Sequence, residues 1–144
     1  RTVNKKYLAL VDKHPLTDSG KIVAPIYRDR LNRKKMAIAP DGEGKKAITI
    51  YHTLKKFNQF SFLEVDILTG RTHQIRVHLS SIGSPITGDT VYGYSTPRIK
   101  LNRHFLHAKS LEIKLPDSQT MSRFETNLPN ELQKIIDDLT PKEN

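Results

Sequence analysis

Apolar residues recur along this chain first with period two and then, near its middle, with the period of a helix. In "KKYLALVD" Tyr7, Ala9 and Val11 fall on one side and Leu8 and Leu10 on the other, so a strand with two apolar faces is predicted. The turn "HPLTDSG" separates it from a second predicted strand, "KIVAPIYRD". Pro25 there argues for an edge or a strand end, because proline has no amide proton for a ladder. "LNRKKMAIAPDGEGKKA" reads as loop, with glycines around "PDGEG" where turns need positive φ. "AITIYHTLKKF" and "FSFLEVDIL" predict an antiparallel pair joined by "KFNQF". In the second of these, Leu63, Val65 and Ile67 point one way and Glu64 and Asp66 the other.

From Thr72 to Ser81 the period changes. Ile75, Leu79 and Ile82 stand at i, i+4 and i+7, the spacing of one helix face. Thr72 is the expected N-cap, and Gly83 is placed to end the helix in the left-handed conformation. "HFLHAKSLEIKL" returns to a strand pattern, and "LPNELQKIIDDL" predicts a short acidic amphipathic helix capped near Asn130. Strands and a few helices without a βαβ rhythm indicate an α+β fold, a mostly antiparallel mixed sheet flanked by a few helices.

Composition narrows the function classes. The chain has 144 residues, enough for one domain, 1–144, with a genuine core. No apolar run approaches the ~20 residues of a membrane span, so no membrane partner is expected. There is no cysteine, which excludes disulfides and thiolate metal sites and fits a cytoplasmic protein. The first residue is Arg1 and strand-like sequence follows at once, which suggests a piece of a longer protein. The net charge of +9 is graded: residues 1–60 hold 14 Lys/Arg against 5 Asp/Glu, residues 116–144 only 3 against 6. With "RDRLNRKKM", "GKK" and "LKKF", this is the footprint expected for a polyanion, most plausibly nucleic acid.

Candidate chemistry is concentrated around the predicted central helix. His73 and His78 are five apart, about 140° around a helix, and zinc pairs on one helix use i, i+4; a metal site is not expected. Neither "DGEG" nor "GDTVYG" matches a nucleotide-binding glycine fingerprint. Glu64 and Asp66 share a strand face, which suits acid–base chemistry or a metal-dependent nuclease but is better explained by solvent-facing alternation. Asp89 reads as a turn residue between two glycines. Arg76 is adjacent to the apolar stripe, so its guanidinium requires a carboxylate or phosphate partner. That partner is either a structural acid or a functional one in a cleft. Arg71 and the first-turn amides add positive potential at the same end of the helix.

"KKYLALV", "TGRTHQIRVHLSSIGSPITGDTVYG" and "RHFLHAKSLEIKLP", in this order and spacing, closely resemble the RluA/RluD-type pseudouridine synthases. The resemblance runs from Arg1 to "LPNELQKIIDDL" and implies a pseudouridine synthase-like fold that isomerises uridine in ribosomal or transfer RNA. It implies that Tyr7 stacks on the target base and assists proton removal, and that Arg76 ion-pairs with the nucleophilic aspartate. Leu106 of "FLHA" would line the uracil pocket, and Arg71 and His73 would bind substrate. RNA is the implied partner, with no metal, no organic cofactor and no obligate protein partner. The family's catalytic aspartate lies in an "H-R-L-D"-like segment before the first of these motifs, and no such segment occurs in these 144 residues. The expectation is the C-terminal part of a catalytic domain, inactive alone, with the acid that Arg76 holds lying outside the chain. The rival expectation is a non-catalytic RNA-binding module.

Overall fold

The structure, a computed structural model, describes residues 3–114, 116 and 120–143. Its long strands are β1 (Val3–Asp12), β5 (Ile48–Lys56), β6 (Phe60–Ile67) and β7 (Leu106–Lys114). Shorter ones are β2 (Ser19–Val23), β3 (Ile26–Arg28), β4 (Met36–Ile38) and β8 (Met121–Glu125). The helices are α1 (Gln74–Ser81) and α2 (Asn130–Asp138). Six strands form one sheet in the order β2-β5-β6-β1-β7-β8, and β3 and β4 form a separate two-stranded ribbon. The α+β, mostly antiparallel arrangement expected from the sequence is what is found. Among the described strands every pairing is antiparallel.

The two apolar faces of β1 reflect its central position. Leu8, Ala9, Leu10 and Val11 are all buried, with β6 on one side and β7 on the other. Leu63 and Val65 of β6 are fully buried while Glu64 and Asp66 stay partly exposed, so the predicted alternation holds. Pro25 breaks the second predicted strand in two. β2 is a sheet edge that ends at Val23, and the chain leaves it to start β3 at Ile26.

Helix α1 buries Ile75, Val77 and Leu79 and also two polar side chains, Gln74 and His78. Both polar groups are bonded to Thr49 of β5, at 3.0 and 2.7 Å, which fixes the helix on one face of the sheet. Gly83 has φ 85°, the left-handed end that was expected. The helix start is not. The capping residue is His73, in the left-handed region at φ 55°, not Thr72, and no side-chain cap bond forms. Local capping preference has yielded to a tertiary contact of the His73 ring. In α2 likewise, Pro129 is the cap and Asn130 the first helical residue. Leu132 of α2 is fully buried, and the segment after α2 bonds the β5–β6 turn through Asn58 N to Thr140 O and Lys142 N to Lys56 O.

Two strands have no counterpart in the sequence reading. β4 lies inside the stretch taken for loop, and β8 lies in a stretch with no assignment. β8 is an edge strand with mostly exposed side chains, so burial imposed no period on it.

Candidate active site

An irregularity in the pairing of β1 with β7 sits beside Tyr7. Lys6 pairs with Ser110 but Tyr7 pairs with Ala108, leaving Lys109 as the extra residue of a bulge. Bulges twist the strand and re-aim the adjacent side chain. Tyr7 lines a cavity of about 340 Å³ together with Ile67, Arg71, His73, Gln74, Ile75, Arg76, His104 and Leu106. All five residues singled out from the sequence, Tyr7, Arg71, His73, Arg76 and Leu106, meet there, from β1, the β6–α1 turn, α1 and the start of β7. Gln74 and His104 were not singled out, although each lies within a motif that was.

Gln74 builds the rim. Its amide nitrogen donates to Ile48 O at 2.9 Å and to Thr49 Oγ1, while its oxygen accepts from Thr69 Oγ1 at 2.7 Å and from the Arg71 amide at 3.1 Å. A buried amide with all four bonding positions filled leaves the turn little freedom. Arg71 Nε donates to Lys46 O at 2.8 Å, which fixes the direction of its guanidinium.

Arg76 has its acid within this chain. Nε and Nη2 donate to Asp89 Oδ2 and Oδ1 at 2.7 and 3.0 Å, a bidentate pair. Asp89 Oδ1 also accepts the amides of Val91 and Tyr92, each at 3.1 Å. The turn reading of Asp89 was therefore right but incomplete, and the expectation that the arginine's acid lies wholly outside the chain is corrected. Burial pushes the Asp89 carboxyl up, but the Arg76 hydrogen bond and the two amides outweigh it and leave it below the usual carboxylate range. The Asp89 hydrogen bond raises Arg76 further above its ordinary value. The fork is not used up, since Nη1 has no partner among the described residues and Arg76 faces the cavity. Tyr92 lies under the same guanidinium, its ring centroid 4.9 Å from Cζ.

Burial lowers both cavity histidines, His73 and His104, with Arg76 adding to the effect in each, so the neutral ring is favoured. Glu64 and Asp66 are on the sheet surface, bonded to Lys6 at 3.3 and 3.0 Å, with Lys109 3.4 Å from Glu64. They are paired surface charges. Among the described residues no three His, Cys, Asp or Glu side chains converge as a metal site. A second cavity, of about 490 Å³, adjoins the first and shares Arg71 with it. The β3–β4 ribbon supplies Tyr27, Arg28 and Met36 to its lining, and Lys45 completes the basic set.

Comparison with known proteins agrees with this geometry. A sequence model of the RNA pseudouridylate synthase family matches residues 1–81. An uncharacterised RNA pseudouridine synthase of Chloroflexus aurantiacus is 46% identical over 136 residues, covering 94% of this chain and 42% of that protein. Ribosomal large subunit pseudouridine synthase D of Zymomonas mobilis is 40% identical over 142 residues, with 94% and 44% covered. Human RNA pseudouridylate synthase domain containing 1 superposes with a TM-score of 0.81 at 30% identity, over 97% of this chain and 60% of that one. The human domain containing 4 protein gives 0.71 at 26% identity, covering 91% and 60%. The chain spans less than half the length of these curated bacterial relatives. With the fold, the cleft and the motifs in agreement, the chain belongs to the RNA pseudouridylate synthase family, of the RluA/RluD type.

Proposed function

We propose that this chain is the C-terminal, base-holding part of a synthase that converts uridine to pseudouridine in RNA. The observation that carries the reading is the convergence of Tyr7, Arg76 and Leu106 from three separate elements on one cavity. The names of the relatives make large-subunit ribosomal RNA our preferred substrate, with transfer RNA as the alternative, and we infer a cytoplasmic site of action.

In the reaction we infer, RNA lies along the cations of the groove shared by Arg71, and the target uridine leaves its stack to enter the cleft. The bond from N1 of uracil to C1′ of the sugar breaks, the base turns, and C5 bonds to C1′. The proton on C5 is lost and N1 gains one, so no oxidant, metal or organic cofactor is required. Tyr7 gives the base a stacking face and Leu106 an apolar wall, since every base has a π surface to cover. His73 and Arg71 bind polar atoms of the nucleotide. The free Nη1 of Arg76 holds the nucleophilic aspartate, supplied by a segment outside these 144 residues. In support, the aspartates that could be considered are engaged: Asp89 with Arg76, Asp12 with Thr87 at 2.9 Å, and Asp29 with the amides of Leu31 and Asn32. On this reading these 144 residues alone are inactive.

The engagement of Nε and Nη2 of Arg76 by Asp89 is the one observation that favours the rival, a non-catalytic RNA-binding module. Tritium release separates the two. The full-length protein should release tritium from carbon-5-labelled uridine in RNA, and Arg76→Ala and Arg76→Lys, each folded by circular dichroism, should abolish it. RNA binding without release by the wild type would establish the module instead. Release by a folded Arg76→Ala protein at the wild-type rate would remove Arg76 from the mechanism.

A further inference from the structure

We propose that Tyr92, which does not line the cleft, is a positioning residue that holds His73 as the tautomer protonated on Nε2. His73 then serves as a fixed hydrogen-bond donor to an acceptor oxygen of the bound nucleotide.

The argument is one of hydrogen-bond polarity. The Met36 amide donates to the Tyr92 hydroxyl oxygen at 2.9 Å. A backbone N–H can only donate, and a phenol has a single proton of its own to give. The other neighbour of that hydroxyl is His73 Nδ1, at 2.7 Å. The phenol oxygen can accept more than once, but its own proton has no acceptor other than Nδ1 among the described residues, so that proton goes to Nδ1. A neutral imidazole has one bare nitrogen and one N–H, so the proton of the ring is on Nε2. The neutral form is the favoured one, because burial and then Arg76 lower His73, Asp89 opposing. Nε2 has no hydrogen-bond partner among the described residues, and His73 lines the cavity beside Arg71, Arg76 and His104.

Tyr92 can impose this polarity because it is itself held on every side. Its carbonyl accepts from Ser80 Oγ at 2.6 Å, and its amide donates to Asp89 Oδ1. Its ring lies against Arg76 and, at 5.4 Å, Lys35. The His73 ring meets it edge-on, with centroids 5.5 Å apart. His73 also adopts the left-handed backbone conformation, which non-glycine residues take up rarely and keep only where surroundings hold them. The same contact that displaces the helix cap from Thr72 to His73 thus fixes the proton on the ring. Because Met36 is on β4, the polarity of the cleft also depends on the β3–β4 ribbon staying closed against Tyr92.

The tautomer is argued from the hydrogen bonds of Tyr92 and the neutral ring of His73; the identity of the acceptor rests on the function proposed above. The two are tested separately. Long-range proton–nitrogen NMR on the full-length protein, labelled with nitrogen-15 at histidine and held at pH 8, reads the tautomer, with His73→Gln assigning the signal. The expected spectrum has His73 with bare Nδ1 and protonated Nε2, and Tyr92→Phe converts it to a mixture or to the other tautomer. A wild-type His73 protonated on Nδ1 overturns the proposal without recourse to any variant, as does a folded Tyr92→Phe protein with an unchanged tautomer. The second arm measures affinity for a uridine-containing RNA oligonucleotide. His73→Gln, whose amide reaches where Nε2 was, keeps affinity near wild type, while His73→Asn, whose amide mimics Nδ1, loses about five-fold, one neutral hydrogen bond. Equal losses in both variants overturn the donor role even where the tautomer is as expected.

Discussion

Asp89 grips Arg76 through both carboxylate oxygens, and the Asp89 side chain has no exposure to solvent. Arg76 is itself only 15% exposed, so removing the acid strands a cation at the edge of the core. Asp89→Asn should cost about 3–5 kcal/mol, the range for breaking a buried pair by deleting one partner. Denaturant unfolding of wild type and variant measures it, and a loss below about 1 kcal/mol would mean that water compensates the arginine. The acid side has a definite pH window. The folded Asp89 carboxyl titrates below its ordinary value of 3.8, so its contribution is complete above that value and is lost as pH falls through the lower, folded one. The gap between wild type and Asp89→Asn should close over that interval.

Tyr7 offers a separation of binding from chemistry. Stacking on an aromatic ring is worth about 1–3 kcal/mol per base. Tyr7→Leu in the full-length protein should therefore weaken binding of the uridine-containing RNA by roughly five- to 150-fold. Tyr7→Phe should bind normally yet release tritium more slowly, since the ring remains and the hydroxyl does not. If Tyr7→Phe turns over at the wild-type rate, the hydroxyl has no part in removing the proton.

His78 makes stability depend on pH near neutrality. It is fully buried, with Nδ1 2.7 Å from Thr49 Oγ1 and Nε2 2.9 Å from Ala24 O. Burial lowers it below its ordinary 6.5, the Ala24 carbonyl opposing in part. The unfolded chain therefore binds the proton first as pH falls. Stability is intact above 6.5 and declines as pH drops from there through the folded value. His78→Gln should be less stable at pH 8, by about 1–3 kcal/mol for the partners it leaves, but should lose less on acidification. Thermal melts at pH 8 and pH 5.5 compare the two slopes, and parallel slopes would remove His78 as the cause. The residual slope in the variant belongs to His73 and His104, which are lowered in the same direction.

The groove lined by Arg28, Lys45 and Arg71 predicts a salt dependence. If Lys45 neutralises one RNA phosphate, Lys45→Ala should reduce the slope of log affinity against log salt by about 0.7. Lys45 is exposed, so the melting temperature should not move. An unchanged slope in the folded variant would put the RNA path elsewhere.

The strands with a strict pattern were legible because burial wrote the pattern: β1 between two neighbours, β6 with Leu63 and Val65 inward, α1 with Ile75 and Leu79 down. β4 and β8 escaped notice for the opposite reason. One has three residues and the other is exposed along most of its length, so neither owes its conformation to an apolar period. The site shows the same division. Tyr7, Arg76 and Leu106 were found through motifs, but the pairing of Arg76 with Asp89 joins residues thirteen apart across the turns after α1. Nothing in linear spacing marks that, because a glycine-flanked aspartate looks the same whether it closes a turn or holds a guanidinium. The His73 cap escaped for a related reason, since the contact with Tyr92 that holds it is tertiary.

The central placement of β1 bears on how the sheet is made. One edge of β1 pairs with β6, Lys5 opposite Ile67, and the other with β7, Val3 opposite Ile113. At ribosomal rates the second partner is synthesised on the order of ten seconds after β1. Loop closure over such separations is slow, and a strand with an open edge is a template for other chains. During that interval the edge of β1 from Val3 to Ala9, which includes the buried Leu8 and Ala9, is unpaired. The vulnerability of this sequence to aggregation therefore belongs to the half-made sheet and ends when β7 arrives.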